Sequence, residues 1–156
     1  MTARLLYRSA QLHEFTAAQM RQLVRQSRAC NAARGVTSLL LYRDGLFLQL
    51  LEGGREAVEA LYARIAADPR HCEVRLLARA RGVARLLPGR ELAYAEVAVD
   101  DSGVPTFAGL DNDVRALRLL ARAPGDDDIA LTLRRFLAGE AIPSGQLVGA
   151  VSGMHA

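Results

Sequence analysis

Apolar residues recur along the chain at two spacings, and the switch between them marks the elements. Around residues 4–8 they alternate, with Ala3, Leu5 and Tyr7 on one face and Arg4 and Arg8 on the other, which predicts a first strand. Thr16 is a suitable N-cap for a helix running to about residue 33. Met20, Leu23, Val24 and Ser27 form its apolar stripe, Asn31 continues the stripe one turn on, and Gly35 ends the helix. Residues 36–42 and 46–52 read as two strands joined by Arg43-Asp44-Gly45, where Asp-Gly is the hairpin signal. Gly53-Gly54 then interrupts the chain. A second helix over about 55–67 carries Val58, Leu61, Tyr62 and Ile65 on one side, and Asp68-Pro69 stops it. In residues 72–78, Cys72, Val74, Leu76 and Ala78 alternate against Glu73, Arg75 and Arg79, a fourth strand; residues 92–99 are a weaker fifth.

The order strand, helix, strand, strand, helix, strand, strand predicts an α+β fold, a ferredoxin-like βαββαββ sandwich with two helices on one sheet face. The stretch Leu46-Phe-Leu-Gln-Leu-Leu-Glu-Gly53 is apolar on both sides, so its second face also needs a cover. The tail supplies a candidate. Beyond a Gly/Pro/Asp linker at 100–112, Val114, Leu117, Leu120 and Ala121 form one amphipathic stripe. After Asp126-Asp-Asp128, which favours a helix start, Ile129, Leu133, Phe136 and Leu137 form another. The expectation is a domain over 1–99, a linker and C-terminal helical pair over 100–140 packed on the second face, and a flexible tail over 141–156, with a homodimer as the competing cover.

Composition adds bounds. With 51% hydrophobic and 24% charged residues in 156, the chain suits one globular domain with a small appendage. The formal charge is +3 and every basic side chain is Arg, but the arginines are scattered among acids and Trp is absent, so a nucleic-acid partner is not expected. Cys30 and Cys72, with no secretory leader, read as reduced thiols, and no apolar run approaches the roughly 20 residues of a membrane span. A soluble cytoplasmic protein is the expectation.

Enzyme and metal signatures fail in turn. Cys30, His71 and Cys72 lack a metal-ligand spacing, and there is neither a G-x-S-x-G nor a P-loop. Gly53-Gly54 before a helix could receive a phosphate but falls far short of a fingerprint. No catalytic constellation emerges, and no metal is expected. What remains is three polar residues on apolar elements: Tyr7, Asn31 and Gln49. The ferredoxin-like order makes the first and third strands neighbours, so Tyr7 and Gln49 can sit side by side. A buried amide without partners destabilises a fold by about 1–3 kcal/mol, so something must meet Gln49. Two readings stay open: a structural Tyr–Gln hydrogen bond, or groups turned toward a ligand.

Five stretches narrow the choice. Leu5-Leu-Tyr-Arg-Ser9, Ser27-Arg-x-x-Asn31, Gly35-Val-Thr-Ser-Leu-Leu-Leu-Tyr42, Asp44-Gly-x-Phe-Leu-Gln-Leu-Leu-Glu-Gly53 and Asp68-Pro-Arg-His71 occur in this order and at these spacings. Together they resemble the BLUF family, the sensors of blue light using flavin, strongly over residues 3–80 and weakly over 81–99. The resemblance implies FAD held noncovalently between the two helices, with Tyr7 as electron and proton donor, Gln49 bridging Tyr7 and the flavin, and Asn31 matching the pyrimidine edge. It further implies that Arg64, Asp68, Arg70 and His71 line the flavin side chain and phosphates. The function implied is a light-driven hydrogen-bond switch rather than enzymatic turnover, signalling to a downstream protein or through a homo-oligomer.

Departures from the family pattern are visible too. Cys30 replaces a polar residue, Ser38 replaces a Gly, and Ala95 and Val97 occupy the places of a Trp and a Met on the fifth strand. They keep a rival in play, a flavin-free ferredoxin-like interaction module. A small hydrolase of the acylphosphatase type shares the strand order, but residues 9–14 contain no Gly and so lack its phosphate-cradling loop.

Overall fold

The computed structural model describes residues 2–11, 16–69, 71–83, 93–99, 105–108 and 128–142. Among them run β1 (Thr2–Gln11), α1 (Ala17–Arg34), β2 (Thr37–Arg43), β3 (Leu46–Gly53), α2 (Arg55–Ala66), β4 (His71–Val83), β5 (Ala93–Val99), β6 (Pro105–Ala108) and α3 (Asp128–Leu137). The strands form one sheet in the order β4-β1-β3-β2-β5-β6. Only the β2–β5 pairing is parallel. The ferredoxin-like α+β order is therefore present, with one strand added at its edge.

Local chemistry explains the element ends. Thr16 and Gln19 form a reciprocal capping box: the Gln19 amide N–H donates to Thr16 Oγ1 at 3.1 Å, and the Thr16 N–H donates to Gln19 Oε1 at 2.9 Å. Gly35 closes α1 at φ 66°, a left-handed conformation that costs glycine nothing. Asp44 and Gly45 both have positive φ, the geometry that lets a two-residue hairpin follow the strand twist.

β3 lies between β1 and β2, and every residue after Leu46 is buried. Its alternate side chains feed opposite cores. Phe47 packs with Met20, Leu23, Val24 and Leu40 under α1, and Leu51 packs with Leu5, Tyr7, Val36, Val58 and Leu61 under α2. Leu48 and Leu50 face the other way, joining Leu6, Leu39, Leu41 and Leu77 against Ile129, Leu133 and Phe136 of α3. The second face is thus covered by the chain's own C-terminal helix. Arg43 finishes that helix by donating to the carbonyls of Phe136 and Glu140, the second at 3.0 Å, with its guanidinium 4.4 Å from the centre of the Phe136 ring.

Three expectations need correcting. The linker over 100–112 contains β6, which pairs antiparallel with β5. Pro105 opens this outermost strand, a position where its missing N–H is tolerated. In β4 the alternation slips: Tyr7 faces Leu76 but Leu6 faces Ala78, so Leu77 is an extra residue. Leu77 and Ala78 therefore both enter the second core, away from Val74 and Leu76. Ile142, assigned to a loose tail, packs on the second core, and its carbonyl accepts from Arg8 Nη1 at 3.3 Å. Of the helical pair, α3 is present; the stripe from Val114 to Ala121 lies outside the described residues.

Phe136 is fully buried, so Phe136→Ala should lower unfolding free energy by about 3–5 kcal/mol in chemical denaturation. An unchanged midpoint would show that α3 contributes nothing to the second core.

Candidate functional site

The site starts from strand register. Tyr7 on β1 pairs directly with Gln49 on β3, and both side chains point to the helix-covered face. Tyr7 is 2% exposed and Gln49 5%. The Tyr7 hydroxyl donates to Gln49 Oε1. That bond occupies one of the two lone pairs of the amide oxygen and leaves the NH2 group, a double donor, with no protein partner among the described residues.

Gln49 borders a cavity of about 410 Å3 between α1 and α2. Helical spacing of three and four puts Gln26, Ser27, Cys30 and Asn31 on its α1 wall. The same spacing puts Leu61, Arg64 and Ile65 on its α2 wall, and Asp68, just past the end of α2, completes that side. Asn31 is 2% exposed, and its Nδ2 donates to Ser38 Oγ at 2.8 Å, which fixes the amide's orientation. Arg64 Nη1 and Arg34 Nη1 approach Cys30 Sγ at 3.8 and 2.6 Å.

Burial makes ionisation of Tyr7 unfavourable. Desolvation pushes its phenol well above the ordinary value, and the nearby Tyr62 and Asp68 push in the same direction. The proton therefore stays on Tyr7 in the ground state, where Gln49 holds it in a hydrogen bond. Tyr62 packs its ring on Tyr7, and its own phenol is raised chiefly by burial.

Of the residues singled out in the sequence, Tyr7, Asn31, Gln49, Arg64 and Asp68 come together here. His71 is the first residue of β4, and Arg70 lies outside the described residues. Sequence reasoning missed Gln26, Leu61 and Ile65 as cavity walls. Gln26 precedes Cys30 by four residues, and Leu61 and Ile65 stand three residues before Arg64 and Asp68, so helical spacing from the known positions could have found them. Ser38 reads as a crowded strand position in the sequence, yet it orients Asn31. The β5 register bears on the missing Trp and Met: Ala95 pairs with Leu41, while the row through Gln49 and Leu40 reaches Tyr94. Among the described residues there is no cluster of His, Cys, Asp or Glu able to hold a metal, and no helix long and apolar enough to cross a membrane.

The family model described as sensors of blue-light using FAD matches residues 2–92. The photoactivated adenylate cyclase subunit beta of Euglena gracilis is 39% identical over 70 residues, which is 45% of this chain and 8% of the relative. The chain thus spans less than a tenth of that curated relative. Among solved structures, the dark state of BlrB, a BLUF protein, has a TM-score of 0.62 at 28% identity, covering 88% of this chain and 96% of that one. Klebsiella pneumoniae BlrP1 with FMN and cyclic diGMP has a TM-score of 0.69 at 27% identity, covering 88% of this chain and 35% of that one.

The cavity fits such a cofactor on its own terms. Its volume lies in the range of small-molecule sites. The Gln49 NH2 group supplies unmet donors for carbonyl oxygens, Leu61 and Ile65 offer apolar contact for a ring, and Arg64 offers a planar fork for phosphate.

The raised Tyr7 pKa sets a pH dependence. Above about pH 10 the unfolded phenol releases its proton while the folded one keeps it, so the unfolded state binds fewer protons and stability falls as pH rises. Denaturant titrations of the flavin-free chain between neutral and strongly alkaline pH should show this loss, and Tyr7→Phe should reduce it. An equal loss in both proteins would contradict the buried, neutral Tyr7.

Proposed function

Because the chain belongs to the BLUF family, the sensors of blue light using FAD, we propose that it is a blue-light receptor which holds FAD between α1 and α2 and signals by rearranging the hydrogen bonds of Tyr7 and Gln49. The matched region is a sensor module rather than a catalytic one. One observation carries the reading: Gln49 accepts from Tyr7 on one side and turns unpartnered donors to the cavity on the other.

A bound flavin would absorb blue light and, when excited, accept an electron and a proton. The chain's residues supply the rest. Tyr7 is the donor, its proton held in place because burial forbids ionisation. Gln49 carries donor and acceptor on one short stem, so rotation or tautomerisation exchanges them without moving the backbone. Asn31, oriented by Ser38, would hold the pyrimidine edge. Arg64 and Asp68 line the cavity, and these two with Arg70 and His71, which follow in the chain, would hold the flavin side chain and phosphates. FAD is the family's cofactor, and BlrP1 contains FMN.

A changed hydrogen bond is worth on the order of 1 kcal/mol, enough to bias a bistable contact. Residues adjoining the pair reach the second face: Leu6 and Arg8 flank Tyr7, Leu48 and Leu50 flank Gln49, and all but Arg8 pack in the core under α3, while Arg8 binds the Ile142 carbonyl. Output would therefore pass to the C-terminal segment and from there to a signalling protein or a second copy of the chain.

The purified protein should be yellow, its flavin bands should shift to the red under blue light, and they should relax in darkness. Tyr7→Phe and Gln49→Leu should each keep the colour and lose the shift. A colourless chain that takes up no added FAD would instead favour the flavin-free interaction module.

A further inference from the structure

Tyr7 has an aromatic neighbour that the light reaction above does not use. The Tyr62 ring lies 5.4 Å from the Tyr7 ring, centroid to centroid, at 57° between planes. This is direct contact in a tilted geometry. The two phenols differ in what surrounds them. Tyr7 is enclosed, its hydroxyl committed to Gln49. Tyr62 is half-buried, and its phenol is far less enclosed than that of Tyr7. Burial opposes proton loss at both, but Arg79 offsets it at Tyr62 and no cation does so at Tyr7.

An oxidised phenol must release its proton, and that is easier where water can take it. We propose that Tyr62 relays the oxidising equivalent from Tyr7 to the surface, so that under continued illumination the protein oxidises a small external one-electron reductant such as ascorbate or a thiol. The proposal rests on the light reaction assigned to Tyr7. In its first step Tyr7 loses one electron and one proton, which pass to the cofactor. Tyr62 then gives one electron to the Tyr7 phenoxyl across the ring contact and releases its own proton to water, while the proton that left Tyr7 returns to it along the Gln49 hydrogen bond, which restores the Tyr7 O–H and leaves the phenoxyl on Tyr62. The reductant supplies one electron and one proton to Tyr62 and is itself oxidised by one electron. The electron stays with the cofactor, its return to Tyr7 is forestalled, and the visible absorption bleaches.

The test uses the full FAD-loaded chain under steady blue light, first with a nitroxide-forming spin trap and then, separately, with ascorbate. Peptide mass spectrometry locates the trap adduct, and the visible spectrum follows bleaching. The expected result is an adduct at Tyr62 and ascorbate-dependent bleaching. Tyr62→Phe, which keeps the ring, should retain the reversible red shift but lose the adduct and slow the bleaching. Tyr7→Phe should lose the Tyr62 adduct together with the shift. Bleaching as fast in Tyr62→Phe as in the unaltered chain, or an adduct at Tyr7 alone, overturns the relay and leaves the light reaction intact. An adduct at Tyr62 that survives Tyr7→Phe shows direct oxidation and also overturns it. Absence of any reversible shift in the unaltered chain removes the Tyr7 reaction, and the relay with it.

Discussion

A strand buried on both faces can carry an amide only if its hydrogen bonds are met, and that constraint organises this protein. β3 is buried along almost its whole length, and Gln49 sits in its middle. Tyr7, directly opposite in register, satisfies the acceptor. The donors are left for the cavity. The NH2 group opens on the cavity and is free to donate to whatever occupies that edge. The polar pair is part of the core, and its Gln49 member also borders the cavity between α1 and α2.

The sheet divides its residues between two cores, and the division links the site to the tail. Odd and even positions of β1, β2 and β3 point to opposite helical layers, so Tyr7 and Gln49 are one residue away from side chains packed under α3. At the end of α3, Arg43 from the β2–β3 hairpin meets the last carbonyls. A buried Arg4–Glu52 pair, 3.3 Å apart, lies beyond the apolar part of the same strands. Close packing of this kind transmits small displacements rather than absorbing them.

Much of the candidate site was legible in the sequence. Tyr7, Asn31 and Gln49 stand out because each is polar where its element is otherwise apolar, and Arg64 and Asp68 follow from the family pattern. Ser38 was not legible in its role, because nothing in a strand's alternation says that its hydroxyl meets an amide seven residues earlier. The role of Leu77 was hidden for a related reason. A bulge inserts one residue without any change in hydrophobicity, so the alternation of β4 looks continuous although its faces exchange.

Local pattern in the sequence determined the elements, because period, caps and the Asp-Gly turn act within a few residues of chain. It also determined that the central strand would be covered on both sides. The tertiary structure decided which strands stand next to one another, and with that the pairing of Tyr7 with Gln49. It decided that β6 extends the edge and that α3 covers the second face. It also decided that the Gln49 NH2 group opens on a cavity instead of a protein acceptor. Those outcomes depend on contacts between residues dozens of positions apart, where no short-range pattern carries the information.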